Sequence, residues 1–201
     1  MQNAKLGMRM AIILHFEFCI ELTISPLSGM IYPKGGDPME DLEFMDEALR
    51  LAREAAAEGE VPVGCVIVRR GEIVGRGRNR RETGKTALGH AEIEAIGEAC
   101  RNLGGWRLWE CTLYVTLEPC PMCAGAIVNA RIRRVVYGAS DDKCGAVRSV
   151  CALFDMRFNH HPTVEAGLLE EECKALLQEF FKNLRLELKT RPKWRPKSEN
   201  G

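Results

Sequence analysis

His90 and Glu92 stand two residues apart in "HAEIEA", and Cys120 and Cys123 stand three apart in "LEPCPMC". Two thiolates and one imidazole are good ligands for a soft divalent ion. A set of three leaves one tetrahedral position open, which points to a catalytic zinc centre instead of a structural one. A lone CxxC would carry little. Here there is no second CxxC, and His160 and His161 lie in a distant turn, so nothing closes a four-ligand structural site. Glu92 then has no place among the ligands. Beside a zinc ion that acidifies water toward pKa ~7, a carboxylate takes a proton and delivers it elsewhere. Attack by the resulting hydroxide on an amidine-like ring carbon, with the proton passed to a ring nitrogen and then to the departing amine, is hydrolytic deamination.

These residues need elements to hold them. Pro121 opens a helix, "PMCAGAIVNA", and puts Cys120 and Cys123 on its first turn, where the helix N-terminus favours thiolate over thiol. His90 opens a second helix over residues 90 to 103. Two parallel helices facing each other across a sheet are the expected way to bring the imidazole to the sulfurs. Leu42, Met45, Leu49, Ala52 and Ala56 recur at three and four and predict an earlier helix that ends at Gly59. Two strands flank the turn Arg70-Gly71, "TLYVTL" and "RRVVYGA" read as further strands, and a last helix covers about residues 169 to 188. Strands alternating with helices imply a layered α/β domain with at least partly parallel pairing.

A chain of 201 residues suits one domain. Lys plus Arg and Asp plus Glu are both 28, but the charges are segregated. Residues 40 to 60 hold eight acidic side chains against two basic. Residues 69 to 85 and residues 182 to 199 each hold seven basic against two acidic, offering two patches to an anionic partner. Nine cysteines without disulfide spacing indicate a reducing compartment. Cys65, Cys100, Cys111, Cys144, Cys151 and Cys173 read as small apolar fillers. No run of about 18 apolar residues predicts a membrane span. "AIILHFEFCI" is broken by His15 and Glu17 and lacks a cleavage site, so it is not read as a signal peptide. The expected organisation is an N-terminal extension at residues 1 to 38, with Met30 or Met39 as alternative starts, a folded domain at residues 39 to 189, and a basic tail at residues 190 to 201.

"HAE" with "PCPMC" resembles the zinc nucleoside and nucleobase deaminases, whose known signature is H-x-E with P-C-x-x-C. A closer resemblance, to the bacterial tRNA adenosine deaminases, runs from about residue 41 to 189 through "VPVGCVIV", "GRGRNR", "HAEIEA", "TLYVTLEPCPMCAGAIVNARIRRVVYGA", "NHHP" and "EFFK". It implies a three-layer α/β/α cytidine-deaminase-like fold with a mixed sheet of about five strands. The implied reaction is conversion of adenosine to inosine at the wobble position of an arginine tRNA, with one zinc per chain, in a cytoplasmic homodimer. On this resemblance His90, Cys120 and Cys123 bind zinc and Glu92 shuttles protons. Asn79 hydrogen-bonds the flipped base, while Ala91 and Glu118 occupy pocket positions. Asp141 meets a ribose, and Asn159 and His160 meet the anticodon. Of Phe180 and Phe181, one is expected in the core and the other stacked on an anticodon base, with Lys182 and Arg185 on phosphates.

The catalytic motif is shared with deaminases of free guanine, cytosine or nucleosides, so that activity is a rival expectation. A catalytically silent zinc-binding subunit is a second. The basic patches and the Phe180-Phe181 helix favour RNA over a free base, and Glu92 disfavours a silent subunit, which has no use for a proton shuttle.

Overall fold

The computed structural model describes residues 38–190. Contacts divide the chain into Met1–Gly36 and Asp37–Gly201, and all the elements below belong to the second unit. The extension and tail expected from the sequence lie outside the described residues, except at their inner edges. In chain order the elements are helix α1 (Pro38–Ala57), strands β1 (Gly64–Arg69) and β2 (Glu72–Arg78), helix α2 (Ala91–Leu103), strand β3 (Cys111–Leu117), helix α3 (Pro121–Ala130), strands β4 (Arg134–Ala139) and β5 (Thr163–Ala166), and helix α4 (Glu170–Thr190).

The sheet order is β2-β1-β3-β4-β5. Strand β1 is antiparallel to both β2 and β3, whereas β3, β4 and β5 run parallel. Alternation sorts the side chains of β1 between two cores. Cys65 and Ile67 join Ala91, Ala95, Ala124 and Ile127 on one face, while Val66 and Val68 join Met45, Leu49 and Cys173 on the other. Helices α2 and α3 therefore lie side by side on one face, and α1 and α4 cover the other. The layering is the expected α/β/α, but the two helices that carry the motif do not face each other across the sheet. Burial on both faces explains why β1, β3 and β4 read as continuous apolar runs.

Close approach of α2 to the sheet depends on Gly77. A Cβ there would sit 2.0 Å from the carbonyl oxygen of Ala91, the first residue of α2. That atom is backbone and has nowhere to move without lifting the helix start that carries His90 and Glu92. Gly77→Ala is expected to cost roughly 1 to 3 kcal/mol of stability, the usual range for overpacking, and to lower zinc content per chain. Unfolding midpoints and metal analysis of the purified variant check both; unchanged values for both would refute the account.

The segregated charges of the sequence meet in space. Arg76 pairs with Glu47 at 2.9 Å, and Arg78 approaches Glu58 at 2.5 Å and Glu54 at 3.6 Å, so the basic hairpin lies against the acidic helix α1. Arg69 and Arg70 share Glu110, and Arg80 lies 3.7 Å from Glu94. Most of the first basic patch is thus internally paired and is not a free anion surface. Behind the sheet, Arg134 forks onto Asp41 at 2.9 and 2.6 Å and also bonds Glu165, joining α1 to β4 and β5. Cys65, Cys111 and Cys173 are buried as expected of fillers, but Cys144 and Cys151 are exposed.

Candidate metal centre and substrate pocket

Strand register brings the chemistry to one end of the sheet. Gly64 pairs with Arg78, Cys65 with Val115 and Leu117 with Ala139, so the start of β1 and the ends of β2, β3 and β4 coincide. Helices α2 and α3 begin at that same end. His90 is the N-cap of α2 and Cys120 the N-cap of α3, and neither side chain caps its helix, which leaves both free to ligate. His90 Nδ1 lies 3.6 Å from Cys120 Sγ and 3.5 Å from Cys123 Sγ. All three donor atoms fall within 4.8 Å of one another. Zinc bonds of about 2.3 Å to sulfur and about 2.0 Å to nitrogen, set at the tetrahedral angle, give a sulfur-nitrogen edge of about 3.5 Å. Donor chemistry and spacing both fit zinc.

Glu92 is 4% exposed on the first turn of α2. Burial pushes its carboxyl up to about 7; its own backbone N–H lowers it, the neighbouring Cys120 charge raises it further, and His90 opposes. The Cys120 thiol is held down at about 4, chiefly by a hydrogen bond from Cys123, against burial and with help from His90. Cys123 moves the opposite way because it donates to Cys120 and is buried. One negative charge is thus shared by two sulfurs at a helix N-terminus, a donor set ready for a cation. The buried Glu92 carboxyl sits beside it.

The family model for the cytidine and deoxycytidylate deaminase zinc-binding region matches residues 38–139. The chain belongs to this deaminase family. A tRNA-specific adenosine deaminase of Bacillus subtilis (strain 168) is 50% identical over 147 residues, which span 73% of this chain and 91% of that protein. A structure from a study of A-to-I editing by tRNA:A34 deaminases at the wobble position of transfer RNA matches with a TM-score of 0.65 and 48% identity, covering 67% of this chain and 99% of that one. A protein solved in complex with 2,6-diaminopurine matches with a TM-score of 0.57 and 29% identity, covering 70% of this chain and 80% of that one.

In this member of the deaminase family the other candidate residues separate into three groups. Asn79 follows β2 at the metal end of the sheet, 5% exposed, with its Nδ2 donating to Glu60 at 3.1 Å. Asp141 follows β4 at the same end, where its side chain accepts the backbone N–H groups of Lys143 and Cys144. Phe181 is 39% exposed and lines a surface hollow with Lys143 and Arg185. Phe180 is half-buried and lines a hollow with Ala56 and Ala57 of α1, and Lys182 is exposed. Neither phenylalanine is fully buried; among the described residues of α4 Cys173 is the buried one, and Leu176 and Leu177 pack against the same core.

Ala91 and Glu118 form the second group. The Ala91 methyl is wholly buried in the core, so only its backbone is available to a ligand. Glu118, 2% exposed, accepts hydrogen bonds from the backbone N–H groups of Asp141, Val147, Arg148 and Ser149 and from the Ser149 hydroxyl. It organises the loop after β4 and has little capacity left for a base. The third group lies elsewhere. His160 bonds the Ile132 carbonyl at 2.6 Å, and Thr163 N–H bonds Arg133, so Asn159 and His160 sit where β4 and β5 begin. Because β3, β4 and β5 are parallel, that is the opposite end from Cys120. Glu60, which meets Asn79, has no sequence signal beyond a charge beside a buried strand.

Proposed function

We propose that this chain hydrolytically deaminates adenosine to inosine at the wobble position of a tRNA anticodon, with an arginine tRNA as substrate. The observation that carries the chemistry is buried Glu92 beside the His90, Cys120 and Cys123 donors; the half-identical tRNA deaminase relative carries the choice of RNA. His90, Cys120 and Cys123 would hold one zinc ion per chain. Bound there, zinc would supply a water acidified to about pKa 7. Glu92 moves two protons: the one shed by the attacking water goes to N1 of the purine, and the one on the new C6 hydroxyl goes to the amine, which leaves as ammonia. A buried carboxyl at this place can serve first as base and then as acid. Asn79 orients the flipped base, and Asp141, Lys143, Phe181 and Arg185 line the same end of the sheet, where the rest of the loop would lie.

Asn159 and His160 are turned away from their own metal donors. In a homodimer the same two residues of a second copy would be available to the anticodon held at the first copy's metal end; light scattering of the purified protein tests the dimer. No helix among the described residues is long and apolar enough to cross a membrane, and the described cysteines are all free. A reducing, cytoplasmic setting fits both. Residues 39 to 189 are read as the deaminase domain.

The match to a protein holding 2,6-diaminopurine keeps a free-purine substrate as the second reading. Inosine formation on an anticodon stem-loop, set beside ammonia release from free guanine, cytosine and adenosine, decides between them. Stem-loop affinity is expected to fall steeply with salt, since phosphate contacts release counterions. Phe181→Ala is expected to cost roughly 1 to 3 kcal/mol of RNA affinity, the size of one base stack. Faster turnover of a free base than of the stem-loop, or stem-loop binding insensitive to both changes, would favour the second reading.

A further inference from the structure

Glu60 lies between α1 and β1 and is 0% exposed. Burying a carboxylate is costly unless its lone pairs are filled. Here they are. Oε1 accepts the backbone N–H of Glu82 at 2.9 Å, the backbone N–H of Thr83 at 2.7 Å and the Thr83 hydroxyl at 2.9 Å, while Oε2 accepts Asn79 Nδ2 at 3.1 Å. Burial acts to raise this carboxyl, but the hydrogen bonds outweigh it and hold the group below the ordinary carboxylate range.

An ionised carboxylate accepts and cannot donate, so only the NH2 end of the Asn79 amide can face it. An amide free to turn over would exchange a donor for an acceptor at the same position in space. Glu60 removes that freedom, because the turned amide would set Oδ1 against a carboxylate oxygen. The Asn79 backbone is fixed as well, its N–H bonding the Val63 carbonyl at 3.0 Å. The second amide hydrogen and Oδ1 then have defined directions, and they are what Asn79 has left for a ligand. The same carboxylate grips the turn at residues 82 and 83, whose base is closed by Arg80 N–H on the Gly89 carbonyl at 2.8 Å, one residue before His90.

We propose that Glu60 is a positioning residue for base recognition, which locks the Asn79 amide in one of its two orientations so that the site presents a fixed donor and acceptor to the purine edge. The inference rests on the reading of Asn79 as a base contact. It predicts that Glu60 acts on substrate through Asn79 and not through the metal donors.

The test is a double-mutant cycle in the full-length, zinc-loaded protein, read on an RNA stem-loop with adenosine at the wobble position. Glu60→Gln keeps size but introduces a donor, so the Asn79 amide can settle either way up. The expected result is a fall in kcat/KM of about 10-fold, the order of one hydrogen bond to a charged group, with zinc content unchanged. Asn79→Ala is expected to lower kcat/KM by at least as much, and adding Glu60→Gln to it should cost less than about 2-fold, because the group through which it acts is gone. An Asn79→Ala loss to which Glu60→Gln adds its full factor would overturn the proposal while sparing the Asn79 reading. An Asn79→Ala variant equal to wild type would overturn both.

A second pair of variants keeps the idea testable if Glu60→Gln folds poorly. Asn79→Asp places two acceptor-only carboxylates face to face and is expected to lose more than Asn79→Ala. Combining it with Glu60→Gln restores a donor-acceptor pair of reversed sense and is expected to recover thermal stability, though not the wild-type KM. Failure of the combined variant to recover stability would count against the contact itself.

Discussion

Glu92→Ala is expected to retain about one zinc per chain and to unfold near the wild-type temperature, while inosine formation on a stem-loop falls at least ~100-fold, the usual size of acid-base assistance. Its motive is geometric. The three donor atoms that bracket the metal position come from His90, Cys120 and Cys123, and Glu92 is not one of them. Its carboxylate is nevertheless buried at the same helix start, within hydrogen-bonding reach of Cys123. Losing a large, desolvated and proton-accepting group should therefore cost chemistry and little structure. Metal analysis and single-turnover rates on one preparation separate the two effects. Loss of zinc together with activity would make Glu92 a ligand or a structural support, and substantial turnover in the variant would end the proton-transfer mechanism.

Arg134→Ala is expected to destabilise the fold by about 3 to 5 kcal/mol, the cost of stranding a buried ionic partner. Asp41 is 7% exposed and receives two bonds from Arg134 and one from the Tyr114 hydroxyl. Without the guanidinium its charge stays buried with the Tyr114 phenol still bonded to it, and Glu165 of β5 loses its bond to β4. Burial acts to raise the Asp41 carboxyl, but hydrogen bonds from Arg134 and Tyr114 and the Arg134 charge outweigh it, so its native pKa lies below the ordinary value. A carboxyl depressed in this way contributes stability above its unfolded pKa of about 3.9 and loses it as pH falls through the native one. The stability gap between wild type and Asp41→Asn should accordingly be full at neutral pH and shrink below about pH 4. Denaturant unfolding of both proteins across that range measures it. A gap that widens on acidification would reverse the assigned sign.

What the sequence alone determined was whatever is encoded locally. Helix periodicity, the Pro121 start and the β-branched runs placed α1, β1 to β4, α2, α3 and α4 close to their observed bounds, because each element's own residues dictate its period. The spacing of His90 against Cys120 and Cys123 was legible for the same reason: helix starts are local features, and three soft donors at two of them have few other uses. Strand β5 was not placed. Its four residues are too short and too exposed a run to signal a strand, and they form one because β4 offers an open parallel edge.

Tertiary structure decided the relations between segments far apart in the chain. Parallel pairing of β3, β4 and β5 sends Asn159 and His160 to the end of the sheet away from Cys120, a fact no motif spacing contains. Covering both faces of the sheet put α2 beside α3, so the imidazole meets the sulfurs along one layer instead of across it. Packing also chose the company of each charge. Five arginines of the basic hairpin pair with Glu47, Glu54, Glu58, Glu94 and Glu110, whereas Glu118 and Glu60, ordinary charges in the sequence, become buried clamps on the loops that flank the metal position. Hydrophobic patterning says only that a residue is charged and near a strand; which lone pairs it must fill is settled when the chain closes around it.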